Sequence, residues 1–401
     1  MIIICGSSAW QYWRTPPVLR DGWLDESVLD AALPKESPDR AALRTLRRNA
    51  READRAVHAR LLGELKGVSL PVHVMVDAPY DRHPTTLVVP HRMAQGLPAR
   101  AIRPLGGGLF VLSPEASALS LGRAETLPTR IISVAKRAFE ACGIFSIMPS
   151  NGRVDVALRE LVERGALSPG ASGRHGIAAF SDARGRRLPS CDRHGEPLPW
   201  MPSFDRLGKI TDLWKRPPLT SVSEMASLLD EAGAGQGVEG AETARRALET
   251  VMEGAASPEE VRAVMLLCSP TWLGGESWGR PDLNRTVLLT SSAKAIAHQA
   301  RCVADVLWAR QKVDLEVQGK AFHADEQGFN VATGRRPALE SMGYAVLELT
   351  HEQMANLELL DAMLPTFARA LGMPLRSRTP AFLKRRAALH RALFDGPYDP
   401  V

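Results

Sequence analysis

Asp305 and Glu316 are the residues whose types and spacing point most directly to chemistry. They lie on two β-rich runs, Val303 to Trp308 and Val313 to Gly319, separated by the short polar segment Ala309-Arg310-Gln311-Lys312. That pattern predicts a hairpin closed by a tight turn. If Trp308 opposes Val313, then Asp305 opposes Glu316, and strict alternation gathers Val303, Asp305 and Leu307 on one face with Asp314, Glu316, Gln318 and Lys320. The other face, Ala304, Val306, Trp308, Val313, Leu315 and Val317, is wholly apolar. Opposed Cβ atoms in such a pair are roughly 4.5–5.5 Å apart, so two carboxylates there repel unless a cation compensates them. Oxygen ligands select a hard divalent ion, Mg²⁺ or Mn²⁺, which activates water and balances the charge that develops when a phosphodiester is cut. A solvated hairpin edge with alternating charges has the same appearance, and a slip of one residue in register separates the two acids.

These segments also carry a resemblance. An Asp followed on the adjoining strand by Glu-x-(Lys or variant) is similar to the active-site core of the PD-(D/E)XK nuclease superfamily. More narrowly, Ala304-Asp305-Val306-Leu307-Trp308, Leu315-Glu316-Val317-Gln318-Gly319-Lys320 and Phe322-His323 resemble the nuclease-like domain related to very-short-patch-repair endonucleases. In actinobacterial chains that domain often ends proteins of the AbiEi antitoxin type. Arg335 to Glu340 and Gly343 to Leu347 fit its next helix and strand, and Gly254 to Glu260 fits its lead-in helix. The resemblance covers residues 245 to 355 and extends more faintly upstream through Val72-His73-Val74, Val89-Pro90-His91-Arg92 and Ser113-Pro114-Glu115.

The resemblance implies a restriction-endonuclease-like mixed sheet flanked by helices, and a Mg²⁺-dependent (or Mn²⁺-dependent) endodeoxyribonuclease acting on DNA. Asp305 and Glu316 would then be metal ligands and Glu260 a further one. It equally implies a catalytically degenerate antitoxin-like regulator that binds DNA without cutting it, with a cognate toxin as a second partner. The chain departs from the pattern at Gln318, where the superfamily usually has Lys and the narrower family often Asp. A neutral amide ligates through oxygen but supplies no positive charge. Lys320, two positions further along the same face, is the candidate replacement, and His323 is a candidate general base or phosphate contact, or a partly buried structural histidine. Position 332 is Ala, where the family usually has an Asp contacting the helix arginine, here Arg335.

Glu260 has a second reading, because Ser257-Pro258-Glu259-Glu260 is also a complete helix start with Ser at N-cap, Pro at N1 and Glu at N3. Thr350-His351-Glu352-Gln353 repeats that logic and predicts a helix running to Leu371. The order of elements in 241–373 is therefore helix, strand, strand, helix, strand, helix, which suits a mixed sheet between helices in an α/β protein.

Upstream, the expectation is an α+β region over 1–150, possessing a short strand at Ile2 to Cys5 and β segments near 72–76, 86–89, 100–103 and 109–112, with helices from Ser113 and over 128–141. Ser37 to Lys66 reads as a long helix bearing Arg40, Arg44, Arg47, Arg48, Arg51, Arg55 and Arg60, a stripe suited to DNA or to solvent. Residues 151–240 are rich in loop-forming residues and end in the glycine-rich segment Glu231 to Gly240, before a helix over 241–253.

The chain of 401 residues exceeds what one core usually organises, so several domains are expected. No apolar run approaches a membrane span and no signal-peptide core is present, which makes a cytoplasmic location the expectation. Five cysteines without any Cys-x-x-Cys argue against a disulfide framework or a structural zinc site, and Cys191-Asp192-Arg193-His194 stands without evident co-ligands. Net charge is +5 with a pI near 9.1. Six of the cations, Arg376, Arg378, Lys384, Arg385, Arg386 and Arg391, fall in 374–401 against Asp395 and Asp399. Such a tail suits a phosphate backbone, or a docked helix held by Phe382, Leu383, Leu389 and Leu393.

Overall fold

A computed structural model describes residues 2–16, 67–76, 84, 87–93, 96–106, 109–120, 126–149, 200–204, 210–233, 240–319, 326–396 and 398. The described strands form three sheets. The first contains β1 (Ile2–Ile4), β2 (Val72–Val76), β3 (Val88–Arg92), β4 (Ile102–Gly106) and β5 (Leu109–Leu112) in the order β3-β2-β1-β5-β4. It carries both parallel and antiparallel pairs. Helix α1 (Gly6–Arg14) is fixed to it by Trp13, whose Nε1 donates to the Leu112 carbonyl at 2.6 Å. Ser113 caps α2 (Pro114–Leu119) with Pro114 at its start, as its sequence requires, and α3 (Leu127–Cys142) follows.

The second sheet is small, β6 (Phe145–Ile147), β7 (Met201–Phe204) and β8 (Ile210–Lys215) in the order β6-β8-β7. Helices α4 (Val222–Gly233), α5 (Ala241–Leu248) and α6 (Pro258–Cys268) lead into the third sheet, in which β9 (Asp282–Leu288), β10 (Arg301–Trp308), β11 (Val313–Gln318) and β12 (Ala345–Thr350) lie in the order β12-β11-β10-β9. Its pairs are antiparallel except β11 with β12. A parallel pair needs a crossover, which α8 (Glu326–Ser341) provides, and α7 (Ser291–Ala297) joins β9 to β10. Helices α9 (His351–Ala355), α10 (Leu357–Leu371) and α11 (Pro380–Phe394) complete the chain. The architecture is thus α/β, with mixed sheets flanked by helices.

Both faces of the third sheet are covered. Val306, Trp308, Val313, Leu315 and Leu349 pack with residues of α6, α10 and α11 in a core that runs continuously from Trp10 to Tyr398. Cys302, Ala304, Leu307 and Val346 pack beneath Ala293 and Ala297 of α7 and Ala338 and Leu339 of α8. Ala304 therefore belongs with Leu307, and simple alternation fails there. The cause is local: the β9–β10 ladder pairs Ala304 with Arg285 and Val306 with Leu283 but skips the pair between them, where Asn284 has φ +50°. The same distortion, and an edge strand with only Leu283 and Val287 buried, explain why β9 and the short α7 lack a clear period in the sequence.

Two helix expectations need correction. The run from Thr350 to Leu371 is two helices, because Asn356 leaves helical geometry and its Oδ1 accepts from the amides of Glu358 and Leu359. The helix expected over 241–253 ends at Leu248. The basic segment 374–401 is not a loose tail in its described part. Arg386 is fully buried and its Nη1 lies 3.0 Å from Glu276 Oε1, while Arg376, Arg378 and Arg385 also bond within the fold, leaving Lys384 and Arg391 exposed on α11. The arginine-rich 37–66 run and Cys191 to His194 lie outside the described residues. Cys5, Cys142, Cys268 and Cys302 are free thiols. No helix among the described residues is long and apolar enough to cross a membrane.

Candidate functional site

The hairpin adopts the register in which Trp308 opposes Val313 and Leu307 opposes Asp314. Backbone pairing stops at Val306 and Leu315, and beyond that point Asp305 turns inward so that its Oδ2 accepts a hydrogen bond from the Val317 amide at 3.0 Å. Asp305 thereby stands where the β10–β11 ladder opens, with groups from both faces of the sheet around it.

From one side comes Glu260 of α6. Ser257 caps that helix and accepts from the Glu260 amide, with Pro258 at the first turn. The Glu260 carboxylate turns back rather than outward: Oε2 accepts from the Ala256 amide at 2.8 Å and from Asn284 Nδ2 at 2.5 Å, and Oε1 accepts from Ser257 Oγ at 2.9 Å. Asn284 also donates to the Gly254 carbonyl at 3.0 Å. Gly254 has φ +89°, and a Cβ there would lie 3.0 Å from the Leu283 carbonyl oxygen, so the turn before α6 needs glycine. Burial, reinforced by the Asp305 charge, pushes Glu260 up to about 7.

From the other side come Glu316 and Arg335. Arg335 of α8 donates through Nη2 to Glu316 Oε1 at 2.5 Å and also to the Val303 carbonyl. The preceding Gly334 makes this reach feasible, since a Cβ there would sit 3.0 Å from Ile296 O and 3.2 Å from Ala297 Cα, where α7 passes. Among the described residues, the buried Arg335 Nε has no hydrogen-bond partner.

Asp314 is fully buried beside the Glu316 carboxyl, and among the described residues no other donor reaches its oxygens. Two carboxyls in contact favour a shared proton, and burial first and Asp314 second push Glu316 up to about 8. Burial and the Glu316 charge push Asp305 up to about 6.

The site thus brings together three of the acids singled out in the sequence, Asp305, Glu316 and Glu260. Gln318 is half-buried on β11, paired in register with Thr350. Lys320 and His323, together with Phe322, lie outside the described residues. Among the described residues, no group of three or more His, Cys, Asp or Glu side chains is arranged to hold a metal ion directly.

Two members of the site had no signature in the sequence. Asn284 is one. The other is Lys215, at the end of β8 in a different sheet, whose Nζ donates to the Ala256 carbonyl at 2.5 Å; burial lowers its pKa against the opposing pull of the Glu260 and Asp305 charges. No known protein family, no curated protein and no solved structure matches this chain.

Proposed function

We propose that this chain is a divalent-metal-dependent phosphodiesterase acting on DNA, with its C-terminal mixed sheet as a catalytic unit of PD-(D/E)XK type. The observation that supports this reading is the convergence of Glu260, Asp305 and Glu316 at the open end of the hairpin, each partly or wholly withdrawn from water and each harder to ionise than usual. Structural acids are normally neutralised by close cations. Glu316 has Arg335 beside it, but no ion pair is described for Asp305 or Glu260, and their charges oppose one another, which suits an oxygen-ligated dication.

Asp305 and Glu316 would hold Mg²⁺ or Mn²⁺, Glu260 would orient the Asp305 side, and the Gln318 amide would position water. The bound ion would supply Lewis acidity toward the phosphoryl oxygen and a more acidic water. Exposed Arg285, Lys294 and Arg301 around the β9–β10 edge suit a polyanionic substrate. Purified protein incubated with duplex DNA and Mg²⁺ or Mn²⁺ should nick it, and Asp305→Ala and Glu316→Ala should each abolish cutting. Cleavage that persists in either variant refutes the assignment.

A second reading is favoured by the way the acids are already engaged: Arg335 occupies Glu316, and Ala256, Asn284 and Ser257 occupy Glu260. On that reading the domain is a degenerate, antitoxin-like DNA-binding scaffold. Metal-independent DNA binding without any cutting by the parent protein would favour it.

A further inference from the structure

We infer that the loop over 270–280, between α6 and β9, is a phosphate-backbone contact surface for DNA, its charge supplied by Arg246, Arg280, Arg376 and Arg385. The inference rests on DNA as the partner proposed above, and not on cutting.

Much of this protein's arginine is spent on carboxylates. Arg245 meets Asp230, Arg262 meets Glu259, Arg335 meets Glu316, and Arg336 meets Glu340 and Glu348. The four arginines around the loop are held in another way. Arg280 donates through Nη1 to the Glu249 carbonyl at 2.7 Å and through Nη2 to the Val251 carbonyl. Arg376 donates through Nε to the Glu276 carbonyl at 2.8 Å and through Nη2 to the Ser277 carbonyl at 3.3 Å. Arg385 Nε donates to the Thr271 carbonyl at 3.0 Å, and Arg246 lies over Trp272 with Cζ 4.5 Å from the ring centroid. No ion pair is described for any of the four. A carbonyl or an indole fixes a guanidinium without cancelling its charge, and leaves donors to spare.

The acids nearby do not remove that excess. Fully buried Glu276 is taken up by Arg378 and Arg386, and the latter also closes on Asp361. Exposed Glu242 and Glu249, at the two ends of α5, offset only part of the charge of four guanidiniums. The platform is firm. Leu273 and Trp278 are buried, Trp278 Nε1 donates to the Pro374 carbonyl at 3.2 Å, and at Gly274 the loop lies so close to α11 that a Cβ would come within 2.5 Å of the Arg385 carbonyl oxygen. Trp272 on the same loop keeps 36% of its surface in solvent, and Arg280 and Arg385 are exposed as well. Fixed guanidiniums beside an exposed ring are the means by which nucleic acid is held, charge to phosphate and ring to sugar or base. Charge density separates DNA from an acidic peptide. The duplex carries a charge about every 1.7 Å of its axis, so one short surface can satisfy several fixed arginines, whereas an extended chain offers at most one carboxylate in about 3.3 Å.

The test uses the full-length protein, a labelled DNA duplex and anisotropy over a range of salt in EDTA. Arg246→Gln, Arg280→Gln and Arg385→Gln should each lower the slope of log affinity against log salt by about one, and the triple variant by about three. Replacing the same three by Lys should restore the slope; if it does not, the loss came from packing and the inference fails. Arg336→Gln, whose charge is already paired on α8, should leave the slope unchanged. A triple Gln variant that keeps the parent slope overturns the inference even if it melts earlier, and so does an Arg336→Gln slope lowered as much as the others, which would mean that charge counts regardless of place. A parent that binds DNA with an unaltered slope in the triple variant thus leaves DNA as the partner and removes this surface. A parent that binds polyglutamate but not DNA at the same salt removes both.

Discussion

Replacing Asp305 by Asn should stabilise the metal-free protein at alkaline pH, against the usual direction for a buried-residue substitution. In the fold the Asp305 carboxyl is raised from the usual 3.8 to about 6, first by burial and then by Glu316. At about 1.4 kcal/mol for each tenfold change in acidity, holding it ionised costs the folded state about 3 kcal/mol relative to the unfolded chain. Because the folded pKa lies above the unfolded one, that cost is nearly absent below pH 4, grows as pH rises between the two values and is complete above about 6. Asn keeps an oxygen for the Val317 amide, so the hydrogen bond is retained while the charge is removed.

After partial exposure of the site is allowed for, Asp305→Asn should gain about 2 kcal/mol at pH 8, visible as a rise of several degrees in Tm. The gain should shrink towards zero near pH 4. Thermal or urea unfolding in EDTA at the two pH values provides the measurement, and added Mg²⁺ should stabilise the parent at pH 8 but not the variant. A variant less stable than the parent at pH 8, or one whose difference does not change with pH, would refute the claim that these acids are held in electrostatic conflict.

Gly334→Val should cost about 2 kcal/mol or more, since its added atoms meet the backbone of α7 rather than a flexible side chain, and urea unfolding should show it; a neutral effect would mean α7 is free to move. Arg386→Met should destabilise the protein by about 3 kcal/mol, because Arg386 closes on Glu276 at 3.0 Å and on Asp361 at 2.6 Å as ion pairs inside the fold, leaving fully buried Glu276 with less compensation. A shift in urea midpoint equivalent to under 1 kcal/mol would show that the ion pairs do not anchor α11.

The hairpin was legible because two signals agreed: β-rich arms of matched length and a polar turn, which together fix the register Trp308 to Val313. Caps were legible for the same reason, since Ser257-Pro258 and Thr350 with Gln353 are local devices that need no tertiary information. The faces were only partly legible. Asn284 breaks the ladder from the neighbouring strand, and nothing within β10 announces that. Lys215 could not be found from sequence at all, because its partners in the site lie more than forty residues away in the chain, beginning with Ala256 at a separation of 41. Asp305 and Glu316 could be nominated because they share a hairpin; Lys215 could not, because only the packing of one sheet against the mouth of α6 brings it there.

The same geometry sets the terms on which the site can hold a metal. Burial and Asp314 favour the protonated form of Glu316, which also accepts from Arg335, so a cation would gain it as a ligand only against that proton and the guanidinium. Asp305 makes no such demand: its one described hydrogen bond is to a backbone amide, which leaves its other oxygen open to coordination. Ligand order follows. Were a dication bound as proposed, Asp305 would be its first ligand and Glu316 would join on losing its proton, so uptake would release a proton. On the proposed function, a nuclease and a DNA-binding scaffold would differ in whether that proton gives way to a cation beside the arginine.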